Sequence, residues 1–156
     1  KKKKKLHMQP MKKKILIFFL LFFTFEVNAQ DKFLSLKKNK VNVRYGPGFD
    51  YPVKYIYKKL NFPVKIIDEK ENFRRIIDIK KNSGWVHTSQ LKKSKSFITL
   101  ENKILFKNPT FFSKPILRIE KGRLLIVKKY KKNWCKIKTG NNLGWVKTNN
   151  IWGMEK

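Results

Sequence analysis

The feature that most restricts how this chain can fold is an internal repeat. Ser83-Gly84-Trp85-Val86-His87-Thr88 returns as Leu143-Gly144-Trp145-Val146-Lys147-Thr148, with the Gly-Trp-Val cores 60 positions apart. Three further echoes precede it in the same order. Asn72-Phe73-Arg74-Arg75-Ile76 parallels Asn133-Trp134-Cys135-Lys136-Ile137, Pro63 to Ile67 parallels Arg123 to Val127, and Val41 to Arg44 parallels Ile104 to Lys107. Each unit closes on a bulky apolar residue, Leu91 or Ile151. Ordered echoes of this kind mark one supersecondary unit used twice. The units span about 37–92 and 97–153.

Within a unit the segments read as short strands. Val41-Asn42-Val43 alternates, Val64 to Ile67 is apolar and β-branched, and Arg75 to Ile79 and Trp85-Val86 follow. Turn clusters separate them: Gly46-Pro47-Gly48, Asp78 to Gly84, and Thr139-Gly140-Asn141-Asn142. No window keeps apolar residues at helical spacing beyond two turns. About five strands in each unit make a small bent barrel near the lower size limit for an independent core. Two such units packed together stabilise each other. The polar stretch 92–96 reads as a linker, and Lys128-Lys129 and Lys131-Lys132 as a solvated turn.

The N-terminus reads as an address. Met11 precedes Lys12-Lys13-Lys14, then the apolar run Ile15 to Phe25, then Val27-Asn28-Ala29. This is the order of a secretory signal peptide, with cleavage expected after Ala29. The run is shorter than the roughly 20 residues of a membrane span. Residues 1–10 are expected to lie upstream of the true start. The expected division is 1–29 signal peptide and upstream residues, 30–92 first domain, 93–156 second domain.

Composition narrows the chemistry. The chain has 39 Lys and Arg against 10 Asp and Glu, a formal charge of +29. Without residues 1–29 it keeps 31 cations against 9 acids, or +22. Such a surface associates with polyanions at low salt, whether anionic cell-wall polymers, lipid headgroups or nucleic acid. The abundance of Lys, Asn, Ile and Phe is also what an AT-rich genome produces. With Cys135 as the one cysteine, no intramolecular disulfide forms. After residue 29 there is one Cys and one His, too few for a structural zinc site. A Cys135–His87 thiol–imidazole pair would need partners from different units, and no paired acids or phosphate loop stand out. The expectation is a protein that binds rather than catalyses, with no cofactor and no metal.

Val43-Arg44-Tyr45-Gly46-Pro47-Gly48, Tyr51-Pro52-Val53, Pro63-Val64, Asn72-Phe73-Arg74 and Gly84-Trp85-Val86-His87 with Leu91 resemble a bacterial SH3-like (SH3b) domain. In the second unit, Asn133 to Ile137, Gly144-Trp145-Val146 and Ile151-Trp152-Gly153 resemble a tandem-domain, exported branch typical of alphaproteobacteria. Asn108-Pro109-Thr110 departs from the Gly-Pro-Gly turn. The resemblance implies an all-β chain of two tandem small SH3-like β-barrels behind a signal peptide, periplasmic or secreted. It also implies relatives that target cell wall or bind peptides, frequently attached to peptidoglycan hydrolases.

Tyr45, Phe49, Tyr51, Tyr55 and Tyr57 crowd the first unit's early loop and strand. Aromatic faces with polar tips suit a peptide or glycan. The expected ligand contacts are Arg44, Tyr45, Tyr51, Tyr55, Trp85 and His87, with Val53, Tyr55 and Tyr57 on one strand face. Trp85 and Trp145 hold equivalent positions, which favours a structural role for both. The expected partner is peptidoglycan or an envelope peptide. The rival readings are an adaptor docked on another envelope protein, and polyanion binding through the basic surface, with nucleic acid disfavoured by export.

Overall fold

The computed structural model describes residues 32–154, so the expected signal peptide lies outside the described residues. The chain forms two seven-stranded sheets of the same topology. The first contains β1 (Phe33–Leu36), β2 (Val41–Arg44), β3 (Val53–Tyr57), β4 (Pro63–Lys70), β5 (Phe73–Ile77), β6 (Ser83–His87) and β7 (Leu91–Lys93). The second contains β8 (Ser96–Thr99), β9 (Lys103–Phe106), β10 (Pro115–Ile119), β11 (Leu124–Lys131), β12 (Trp134–Thr139), β13 (Asn142–Lys147) and β14 (Ile151–Trp152). Strand order is β3-β2-β6-β5-β4-β1-β7 in one and β10-β9-β13-β12-β11-β8-β14 in the other. Among the described residues the sole helical element is the 3-10 turn Thr88–Gln90.

Each sheet curls around its own core. In the first, Leu36, Val41, Val43, Val64, Ile76, Val86 and Leu91 interlock. In the second, Phe97, Leu105, Ile119, Leu125, Val127, Cys135, Ile137 and Val146 do so. The alternation of β2 and β6 puts Val41, Val43, Gly84 and Val86 inside and leaves Arg44, Trp85 and His87 facing out. Apolar burial at about 25 cal/mol per Å² is the main stabilising term in barrels this small.

Several sequence expectations change. Each module has seven strands rather than about five; β1 precedes the first unit as read from sequence, and β8 precedes the second unit's first echo at Ile104. The expected linker 92–96 is mostly strand, with Ser94 and Lys95 alone between β7 and β8. Lys128, Lys129 and Lys131 belong to β11 rather than a turn. The first repeat echo shifts by one. Val41 pairs with Tyr57 as Lys103 pairs with Ile119, so Lys103 and not Ile104 stands in for Val41. Likewise Pro63 corresponds to Leu124 rather than Arg123, since Ser35 pairs with Pro63 as Ile98 pairs with Leu124.

The modules are docked. Ser96 Oγ donates to the Asn61 carbonyl at 2.6 Å, and Ser94 Oγ to the Gly153 carbonyl at 2.8 Å. Phe33 meets Trp152 edge to face with centroids 5.1 Å apart.

Candidate functional site

The outward residues of β2, β5 and β6 form one surface of the first module. Arg44 pairs with Trp85 across β2 and β6, and Arg75 pairs with Trp85 across β5 and β6. The loop between β2 and β3 folds back over this surface. Arg44 locks it, with Nη1 donating to the carbonyls of Phe49 (3.1 Å) and Tyr51 (2.6 Å). The Tyr51 ring rests on Gly46, where any Cβ would sit 2.3 Å from ring carbons. Gly46 is therefore needed for close approach.

A shallow groove of about 280 Å³ results, lined by Arg44, Tyr45, Lys54, Arg75, Ser83, Gly84 and Trp85. Lys54 Nζ donates to the Ser83 carbonyl at 3.0 Å and lies 5.6 Å from the Tyr45 ring centroid. Beside the groove stands an aromatic cluster. Phe49 lies 5.3 Å from Phe73 and 5.1 Å from His87, and Phe73 lies 5.2 Å from His87. The Arg44 guanidinium sits 5.5 Å from the Phe49 centroid, a cation–π contact. His87 accepts the Ser89 N–H through Nδ1 at 3.3 Å. Tyr45 and Phe49 are 62% and 65% exposed, so the rim offers flat apolar faces to solvent.

The structure thus brings Arg44, Tyr45 and Trp85 together in one groove, with Tyr51 and His87 beside it. Tyr55 is placed elsewhere. It packs half-buried against the core, edge to face with Tyr57 at 5.3 Å. The cause is a bulge in β3: Arg44 pairs with Val53 and Val43 with Tyr55, so Lys54 has no partner. The bulge breaks the alternation that put Val53, Tyr55 and Tyr57 on one face. Val53 is exposed whereas Tyr55 and Tyr57 turn inward. Burial raises the Tyr55 hydroxyl above its ordinary pKa. Sequence reading missed Lys54 and Arg75, because strands distant in sequence deliver them. Phe73, read as part of a motif, is the buried centre of the aromatic cluster.

The second module repeats the layout with other side chains. Phe106, Phe111 and Trp134 cluster at 5.0 to 5.9 Å, and Lys147 lies 4.7 Å from the Phe111 centroid. A wider cleft of about 370 Å³ lies between Tyr130, Lys147, Ile151 and Met154, away from every residue expected from sequence. Cys135 is buried in the second core, its thiol pushed up to about 12 by burial, while His87 faces outward in the first module. The conceivable thiol–imidazole pair is not assembled.

A family model described as bacterial SH3 domain matches residues 37–93 and again residues 101–153. No curated protein matches. Among solved structures, NlpC2 from Trichomonas vaginalis is 11% identical with a TM-score of 0.36, over 80% of this chain and 48% of that one. An NlpC/P60 family protein from Bacillus cereus is 11% identical with a TM-score of 0.37, over 77% of this chain and 55% of that one. The chain spans about half the length of these structures. With two matches over most of its described length, the chain belongs to the bacterial SH3 domain family and carries the domain twice in tandem.

Proposed function

We propose that this protein is a non-catalytic binding module of the bacterial cell envelope, exported to the periplasm or beyond, that recognises peptidoglycan or a peptide through the first module's groove. The observation that carries this reading is the exposed aromatic rim of Tyr45 and Phe49 on a loop held by Arg44. A rigid aromatic surface lowers the ordering cost of binding.

Co-sedimentation of residues 30–156 with purified sacculi across a salt series tests it. At about 0.3 M salt the Debye length falls to roughly 5–6 Å and long-range attraction is largely screened. Binding that survives there and falls in a Tyr45→Ala, Phe49→Ala variant supports the groove. Binding that disappears with salt in both proteins reduces the interaction to charge.

One observation favours a second reading, an adaptor docked on another envelope protein. Phe112 is fully exposed beside Phe111 on the β9–β10 loop. Crosslinking in cells that gives one dominant protein partner, with no sacculus binding, selects it.

A further inference from the structure

The two modules carry the same groove, and the contrast between them names the ligand chemistry of the first. Arg44 and Phe106 both end their strand and pair with the Gly-Trp-Val tryptophan, Trp85 or Trp145. Lys54 and Ile116 are the unpaired residues of matching bulges. Arg75 and Lys136 both pair with the tryptophan from the other side. Ser83 and Leu143 both precede the glycine. One backbone therefore presents Arg44, Lys54 and Arg75 in the first module, and Phe106, Ile116 and Lys136 in the second.

Among the described residues, the three cations of the first groove have no carboxylate partner. Arg44 spends Nη1 on loop carbonyls, and Lys54 bonds only a carbonyl. The Arg75 side chain is exposed and forms no hydrogen bond or ion pair among the described residues. Asp68, opposite Arg75 on β4, instead accepts the Glu69 N–H at 2.8 Å. No acid lines the groove. Two arginines and a lysine thus line one groove together with Tyr45 and Trp85. Guanidinium forks bind planar oxyanions through paired hydrogen bonds, and the ring faces accept the apolar remainder of a peptide.

We propose that the first module's groove is a carboxylate site, which takes a free carboxylate of a peptide ligand against Arg44, Lys54 and Arg75. This rests on the binding reading above and deepens it. The second module, apolar at two of these three positions, lacks the site.

The test uses ¹⁵N-labelled residues 30–156 and two probes, N-acetyl-Ala-Ala with a free carboxylate and its C-terminal amide. The expected result at 0.15 M salt is a saturable shift of the Trp85 indole N–H with the acid, at least roughly tenfold weaker binding of the amide, and no matching shift at Trp145. A Lys54→Ile, Arg75→Gln variant, which removes two of the groove's three cations, should bind acid and amide alike. Both substitutions alter exposed side chains, and an unchanged backbone spectrum verifies the fold. Equal binding of acid and amide by the parent protein overturns the proposal. So does displacement of the acid by equimolar inorganic phosphate, which marks a general anion site. Sacculus binding at 0.3 M salt separates the two readings. If it persists while the peptide acid fails, the carboxylate site falls and the wall reading stands. If the acid binds and sacculi do not, the wall reading falls and the carboxylate site stands.

Discussion

Ser35 Oγ and Ser96 Oγ lie 2.8 Å apart in a buried contact that joins the first strands of the two modules. Ser96 gives its proton to the Asn61 carbonyl and Ser94 gives its own to the Gly153 carbonyl. Ser35 therefore has one proton to share between Ser94 Oγ, at 2.9 Å, and Ser96 Oγ. Buried hydroxyls this well satisfied fix a docking geometry rather than permit a sliding one. Two family domains that could be strung as beads are instead locked, so a ligand spanning both would meet them at one spacing.

Gly153 is the tightest point of that joint. Its φ is +117°, and a Cβ there would meet the Pro63 Cβ at 2.4 Å and the Ser96 carbonyl at 3.0 Å. Gly153→Ala is expected to cost about 1–3 kcal/mol through overpacking and an unfavourable φ. Calorimetry should show a lower Tm. Limited trypsin digestion should show faster cleavage after Lys95, which lies between the modules. An unchanged Tm and cleavage rate would mean the joint contributes nothing to stability.

Gly84 and Gly144 let β2 and β9 approach the Gly-Trp-Val strands. A Cβ on Gly144 would lie 2.6 Å from the Phe106 carbonyl, and one on Gly84 would lie 2.4 Å from Val43 Cγ1. The first obstacle is backbone and the second is a side chain. Gly144→Ala should therefore lose more stability than Gly84→Ala, both in the range of about 1–3 kcal/mol. Gly140, with open space around it and φ +55°, should lose about 1 kcal/mol on Gly140→Ala. Urea midpoints of the three variants test this order.

Most of the fold could be read from the chain because β4 to β6 and β11 to β13 preserve their pattern. What could not be read has physical causes. β1 and β8 are Phe-Leu-Ser-Leu and Ser-Phe-Ile-Thr, and their buried serines answer to the other module rather than to their own core. Lys103 occupies a core position because Glu101 and the Asn149 carbonyl accept its ammonium. Ile104 meanwhile is 47% exposed, so hydrophobicity alone misplaced the repeat by one residue. At the site, Arg44, Tyr45 and Trp85 stand out because they lie in or beside motifs. Lys54 reaches the groove through a bulge, and bulges carry no signature in the residue types here.

Tyr57 makes stability fall at high pH. Its hydroxyl is half-buried and donates to Asp78 Oδ2 at 2.9 Å. Asp78 also accepts from the Lys80 and Asn82 backbone and the Asn82 side chain. Burial, then the Tyr55 contact and the Asp78 hydrogen bond, hold the phenol protonated well above its ordinary value of 10.0. The folded state thus binds the proton more tightly than the unfolded one. The contribution is complete below about pH 10 and declines as pH rises beyond it. Tyr57→Phe should be less stable at pH 7, by about 1–2 kcal/mol for the lost hydrogen bond. Its Tm should also drop less steeply than the parent's between about pH 9.5 and 11. Parallel Tm curves would show that the Tyr57 hydroxyl titrates alike in the folded and unfolded protein.

Cys135 provides the matching prediction in the second module. The thiol is fully buried among Leu105, Val127 and Ile137, and burial raises it from 9.0 to about 12. Thiolate is the reactive form, so both access and ionisation oppose modification of the folded protein. At pH 8 a soluble aromatic disulfide reagent should leave the native protein unlabelled over hours and label one thiol per chain at once in concentrated guanidinium. The folded state retains a proton that the unfolded chain releases near pH 9. Stability from this group is therefore full below that pH and lost progressively towards pH 12. Cys135→Val, which keeps an apolar side chain of similar size, should preserve neutral-pH stability to within about 1.5 kcal/mol and flatten the decline above pH 9. Cys135→Ser places a hydroxyl in the same apolar site and should cost about 1–3 kcal/mol. If the native thiol reacts promptly at pH 8, the second core opens on the timescale of the assay. The groove of the first module would then have to be tested for the same opening before its ligand is assigned.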